Sequence, residues 1–209
     1  MKQRKILRDS IVGITKPALQ RIAYTAGITS MSSVVYEELR GFLKAKMEKI
    51  LNKAIVYTEY QRKMTIDEYA IAANISPKIW SMNPKAKACK LRKSKRKSRS
   101  KSRSKSRSKS KNKKSANYNA LLNIRYYQKL YDCLNIPMAS FERLSREIAS
   151  NFKCDVRFTK KALIIFQYSM EKYLLEILKK TLLLTVHANR TRIEPKDIIL
   201  ATKKIQRDF

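Results

Sequence analysis

Residues Thr159–Ala188 read TKKALIIFQYSMEKYLLEILKKTLLLTVHA, thirty positions without a glycine or a proline. Leu163, Phe166, Met170, Tyr173, Leu174, Ile177 and Leu178 recur at helical spacing along one side. Ile164, Ile165, Leu175, Leu182, Leu183 and Val186 widen the apolar surface well beyond one stripe. A helix near 30 residues spans about 45 Å at 1.5 Å per residue. The stretch does not read as a membrane span. Glu171, Lys172, Glu176, Lys179 and Lys180 interrupt it, and each is costly in hydrocarbon.

Shorter helices flank this long one. Upstream, a preliminary helix is predicted around Asn119–Leu130, and Ser140 is placed to cap a short helix ending near Asn151. The loop NFKCDVRF, Asn151–Phe158, leads into the long helix. Downstream, Pro195 sits in the first turn of a last helix running to about Gln206. The N-terminal part repeats the layout. Thr15 can cap a short helix, with Lys16 and Pro17 in its first turn, that runs to about Thr25 before a break at Gly27. A long helix from about Ser32 to Gln61 carries Val35, Leu39, Phe42, Leu43, Met47, Ile50, Leu51, Ala54 and Tyr57 at helical spacing. Thr65 or Asp67 then opens a short helix to about Asn74. Two short helices cannot cover 45 Å of apolar face. Each segment therefore needs a second such unit crossing it antiparallel, and one chain holds both.

Composition sets the partner class. The 209 residues carry 48 Lys and Arg against 16 Asp and Glu, a formal net charge of +32. A polyanion is the leading explanation. Hydrophobic residues are still 44% of the chain, enough for a packed core. Three glycines and five prolines favour long helices over an all-β fold. The cysteines, Cys89, Cys133 and Cys154, lack CxxC spacing and read as reduced thiols of an intracellular protein. MKQRKILRDS at the start lacks the apolar run of a secretion signal. Between the two helical segments, Lys90–Lys114 is a low-complexity run of 15 Lys or Arg with alternating serines. It reads as a disordered basic linker. The predicted organisation is a folded segment at 1–84, a linker at 85–117 and a second folded segment at 118–209.

Several strings are recognisable. RKILRDSIVGITKPALQRIA (Arg4–Ala23), VVYEELRGFLK (Val34–Lys44) and AIVYTEY (Ala54–Tyr60) resemble histone H-four. FERLSREIASNFKCDVRF (Phe141–Phe158), VHANRTRIEPKDIILATKKI (Val186–Ile205) and IRYYQK (Ile124–Lys129) resemble histone H-three. The fused order is similar to the histone doublets of large DNA viruses of eukaryotes. The resemblance implies an all-α protein of two histone folds in a handshake pair. It implies sequence-independent packaging of double-stranded DNA in a nucleosome-like particle, in a virion, a viral factory or a host nucleus. Implied partners are a second copy, meeting through the C-terminal half, and a second pair or doublet resembling histones H-two-B and H-two-A. No cofactor is expected.

Carried over residue by residue, the DNA-contacting set is Lys16, Arg21, Arg62, Lys63 and Thr65 in the first half. In the second it is Arg125, Arg143, Arg146, Arg157 and Lys196, with Arg190 and Arg192 as further DNA-contact candidates, Arg192 as the replacement for the groove arginine missing at Ser30. His187, Arg190 and Asp197 match the interface between two handshake pairs. There are departures. Gln20, Tyr24, Thr29, Ser30 and Met64 stand where the family is basic, and Leu184 stands where it often has a cysteine near the histidine, so no metal is expected. At Ser30 the family has a minor-groove arginine neighbouring a threonine, and that threonine position is Arg192. The pair is exchanged, while Arg157 and Thr65 keep the usual orientation. Ser98, Ser100, Ser102, Ser104, Ser106, Ser108 and Ser110 are candidate phosphorylation sites. Full modification would add roughly −10 to −14 and nearly cancel the linker charge.

Two other readings share parts of this pattern. One is a histone-fold subunit of a transcription or centromere-type complex. The other is a protamine-like nucleic-acid condenser, which the Ser-Arg run alone permits but which leaves the helical segments unexplained. An enzyme is not indicated. There is no phosphate-binding glycine loop, nucleophile–base pair or metal cluster.

Overall fold

The computed structural model describes residues 10–75, 116–130 and 134–207. The basic run Lys90–Lys114, its seven candidate serines, Cys89 and Cys133 lie outside the described residues. Seven α-helices are described: α1 Lys16–Ala26, α2 Ser33–Tyr60, α3 Glu68–Ala72, α4 Ala116–Gln128, α5 Met138–Ser150, α6 Lys160–His187 and α7 Pro195–Arg207. Four two-residue strands lie beside the long helices: β1 Ser30–Met31, β2 Thr65–Ile66, β3 Arg157–Phe158 and β4 Arg192–Ile193.

Strand pairing fixes how the halves meet. β1 precedes α2 and pairs in parallel with β4, which follows α6. β2 follows α2 and pairs with β3, which precedes α6. The start of each long helix therefore lies at the end of the other, so α2 and α6 run antiparallel. Val35, Leu39, Leu43, Met47, Leu51 and Ala54 of α2 are fully buried. Ala162, Phe166, Leu174 and Ile177 of α6 are equally buried in the same core. Phe166 meets Phe141 of α5 edge-on, ring centres 5.3 Å apart, the offset that the ring quadrupoles favour. This is the antiparallel handshake that the apolar length of the helices required.

Local chemistry places the helix ends. Thr159 caps α6, its hydroxyl accepting from the Ala162 N–H at 3.2 Å. Thr15, Ser32 and Asp67 occupy N-cap positions in extended conformation, but none makes a side-chain cap bond. One expectation is corrected. Ser140 does not cap α5, because the helix begins two residues earlier, at Met138, with Pro137 as N-cap. Pro137 at ψ 127 supplies the extended entry, and its carbonyl accepts from Ser140 and Phe141 at 3.1 Å each. Ser140 instead packs against the 3-10 turn Ser10–Gly13, where a Cβ on Gly13 would lie 3.4 Å from its own.

Gly27 ends α1 in the left-handed region, φ 93, with its N–H on the Tyr24 carbonyl and that of Ile28 on Ala23. A Cβ there would meet only ordinary contacts, at 3.7 and 3.8 Å. Gly27→Ala should therefore cost only the backbone penalty, about 1 kcal/mol. Urea denaturation checks this. A loss of several kcal/mol would mean that the turn also needs space.

The halves are joined by polar contacts as well. Lys153 reaches Glu59 at 3.1 Å, and Lys161 lies 3.9 Å from Glu68. Both pairs are exposed enough to contribute little. Arg40, buried on α2, donates Nε–H to the Ile14 carbonyl at 2.9 Å and pairs with Glu37. Between halves, Tyr24 and Tyr127 stack at 6.0 Å. A buried carboxylate, Glu171 on α6, accepts from the backbone N–H groups of Asn135 and Ile136. No described helix is long and apolar enough to cross a membrane.

Candidate nucleic-acid interface

The antiparallel crossing gives the molecule two equivalent ends, each a parallel strand ladder beside the loop that closes a long helix. Both loops are built alike. Arg62 after α2 and Asn189 after α6 each adopt φ 53. The next N–H, of Lys63 or Arg190, bonds back to Thr58 or Thr185 at 3.0 Å. This is a Schellman-type stop that satisfies the last carbonyls. Asn tolerates the left-handed region better than Arg does, so the Arg62 position carries some backbone cost.

In the β2–β3 ladder, Thr65 is in register with Arg157. In the β1–β4 ladder, Ser30 is in register with Arg192. Both arginines are exposed, and neither guanidinium has a hydrogen bond or ion pair among the described residues. The structure thus brings together both pairs that the resemblance implied, including the exchanged one.

The remaining basic candidates divide by whether a partner holds them. Arg62, Arg125 and Arg143 are exposed, and none has an ion pair among the described residues. Lys16 is exposed on α1, its ammonium 6.0 Å from the centre of the Tyr36 ring. Arg146 is exposed on α5 and pairs with Glu142 one turn away. Lys63 lies 3.5 Å from Asp67, and Lys196 lies 2.9 Å from Glu194. Such exposed pairs exchange readily for a phosphate, because they are worth little in water. Arg21 differs. Its guanidinium donates to the Asn135 carbonyl at 2.6 Å, so it ties α1 to the loop before α5.

Arg190 donates to Asp197 at 2.8 Å and lies 2.9 Å from Glu194. Its buried Nη1 is the atom that faces the Glu194 carboxylate. The bond to Asp197, with the charges of Asp197 and Glu194, raises the Arg190 pKa further. The bond from Lys196, with the charge of Arg190, lowers that of Glu194. Asp197 is buried and also accepts from the Glu194 N–H at 3.1 Å. His187, exposed at the end of α6, makes no ion pair among the described residues. Beside this network Leu183, Val186, Ile199 and Leu200 are exposed, the first at 70%.

The opposite end has a counterpart that sequence reasoning missed. Val56, Tyr57, Tyr60 and Ala73 line a groove between α2 and α3, flanked by Lys53 and Asn74. Tyr60 is 88% exposed. The available signal was Val56 and Tyr60, one turn apart and off the core-facing spacing. No group of three or more His, Cys, Asp or Glu among the described residues could hold a metal ion.

The family model for the core histone domain, the one shared by histones H-two-A, H-two-B, H-three and H-four, matches residues 116–204. That segment runs from α4 into α7 and carries Arg125, Arg143, Arg146, Arg157, Arg190, Arg192 and Lys196. Residues 116–204 are therefore a histone fold, and residues 10–75 supply the short–long–short unit that pairs with it in the same chain.

Proposed function

We propose that this chain packages double-stranded DNA without reading its sequence, its paired histone folds forming half of the core of a nucleosome-like particle. The observation that carries the reading is the coincidence of a core-histone match with exposed, unpaired arginines on its short helix and ladder, Arg143 and Arg157. Lys16, Arg62 and Arg125 add further exposed basic groups, with Lys63, Arg146 and Lys196 available by exchange of their carboxylate partners. Such groups neutralise phosphates and release counterions, and arginines enter the minor groove where it faces the protein. No base-specific contact is required.

The apolar end formed by α6 and α7 fits a second copy of the chain, with His187, Arg190 and Asp197 in the contact. The groove on α2 and α3 fits a second histone pair. Two copies carry +64, twice +32, enough to neutralise about 110 Å of duplex at one charge per about 1.7 Å. Longer wrapping therefore calls on other basic partners. Compaction of a viral genome is the setting that the fused order suggests.

Nuclease digestion of DNA reconstituted with the full chain, alone and with partner histones, tests this. A discrete protected length is expected, and its size gives the number of chains per particle. A smear without protected fragments would point to a protamine-like condenser or an assembly subunit.

A further inference from the structure

The two halves are related by an approximate twofold that maps β1 onto β3, the strands before the long helices, and β2 onto β4, the strands after them. Under that mapping Ser30 corresponds to Arg157, and Thr65 corresponds to Arg192. The ladders nonetheless have the same chemistry. Each sets one hydroxyl residue in register with one arginine, Thr65 with Arg157 and Ser30 with Arg192. What differs is the strand that bears the charge. At one end it precedes a long helix, and at the other it follows one.

We infer that Arg192 is the DNA-contacting arginine of the Ser30 ladder, so that the second half supplies the groove arginine at both ends of the handshake. This rests on the packaging reading above. Three features of the site support it. Arg192 is exposed and unpaired among the described residues, as Arg157 is. The nearest carboxylate in sequence, Glu194, is already engaged by Arg190 and Lys196 and so does not hold the Arg192 guanidinium. Ser30 is short and its hydroxyl is turned back onto the Thr191 carbonyl at 3.4 Å, which leaves the outer face of the ladder to the arginine. A cation with five donors and no internal acceptor, beside a small hydroxyl residue, suits the narrow, strongly negative minor groove.

An exchange of sides has a consequence that an incidental surface arginine does not. Moving the charge across the ladder should be neutral. Moving it off the ladder should not. The test uses the full chain reconstituted with DNA, read by hydroxyl-radical footprinting and by the salt dependence of affinity. Arg192→Ala should lose groove protection at one position and reduce the slope of log affinity against log salt by about one. Arg157→Ala should do the same at a different position. Arg192→Thr should behave as Arg192→Ala does, and the double variant Ser30→Arg with Arg192→Thr should regain the footprint.

If Arg192→Ala keeps its footprint and slope while Arg157→Ala loses its own, Arg192 faces solvent only. The inference then fails and packaging stands. The inference fails also if the double variant does not regain protection, because the arginine's side of the ladder is then not interchangeable. A wild-type chain that gives no footprint removes the packaging reading itself and the inference with it.

Discussion

Glu171→Ala is expected to lower the unfolding free energy by about 3 kcal/mol, more than a hundredfold in the folding equilibrium. The Glu171 carboxylate is where the second half closes on itself. Oε1 accepts from the Asn135 and Ile136 N–H groups at 3.0 and 2.9 Å and from Gln167 at 3.1 Å. Oε2 accepts from the Asn135 N–H at 2.9 Å and from its side-chain amide at 3.3 Å. Truncation strands two backbone donors, each costing about 1–3 kcal/mol if left without a partner. The cleft lined by Ile22, Leu130, Tyr168 and Lys172 reaches this carboxylate, so water offsets part of the loss. The effect should spread across the halves, because Arg21 of α1 holds the Asn135 carbonyl from the other side.

The same carboxylate gives a pH dependence of definite sign. Burial pushes its pKa above the ordinary value, and the bonds from Asn135, Ile136 and Gln167 only partly oppose this. The folded chain therefore holds the proton at a pH where the unfolded chain has released it. Bound protons then number more in the folded than in the unfolded state, and stability falls with rising pH from about 4.3 upward through the raised value. Glu171→Gln cannot titrate and should lack this decline. It should also be less stable than wild type, because an amide turns a donor toward donors. Urea denaturation at several pH values measures both effects. A loss under about 1 kcal/mol for Glu171→Ala would mean that the loop at Asn135 reorganises freely.

Which parts of this were legible in the sequence follows from the range of the forces involved. The long helices announce themselves because burial repeats every turn, and the start of α6 after Thr159 follows from local capping chemistry. The ladder registers were reachable only through the resemblance, since two-residue strands carry no periodic signal of their own. The start of α5 was misplaced because Pro137 caps through its backbone, whereas sequence reasoning looks for a side-chain oxygen. Glu171 read merely as a charge interrupting an apolar run. Its backbone partners lie 35 and 36 positions away, which no spacing rule reveals. The same holds for the site. Exposed arginines were predictable as a class, but Arg21 bonded to Asn135 depends on how the halves dock.

Charging the exposed apolar end of α6 should separate two copies of the chain. Leu183 and Val186 are 70% and 62% exposed, and Ile199 and Leu200 of α7 extend the patch. Each lies on a helix whose opposite face is already committed to the core, so a contact that uses them leaves the handshake intact. The Arg190–Asp197 pair beside them is partly buried and would fix a polar register within an apolar contact, a role attested for such pairs in helical assemblies. In Leu183→Glu with Val186→Glu, two carboxylates must be desolvated against apolar side chains on association, at several kcal/mol each. That should weaken self-association more than a thousandfold. Analytical ultracentrifugation of the full chain at micromolar concentration should show twice 24.4 kDa for wild type and 24.4 kDa for the variant. The matched control is Val56→Glu with Tyr60→Glu, at the groove on α2 and α3. It should leave the mass at two copies, because that end is assigned to a different histone pair. If the control dissociates and the Leu183 variant does not, the two ends have the opposite assignments, and the second copy docks on the first half.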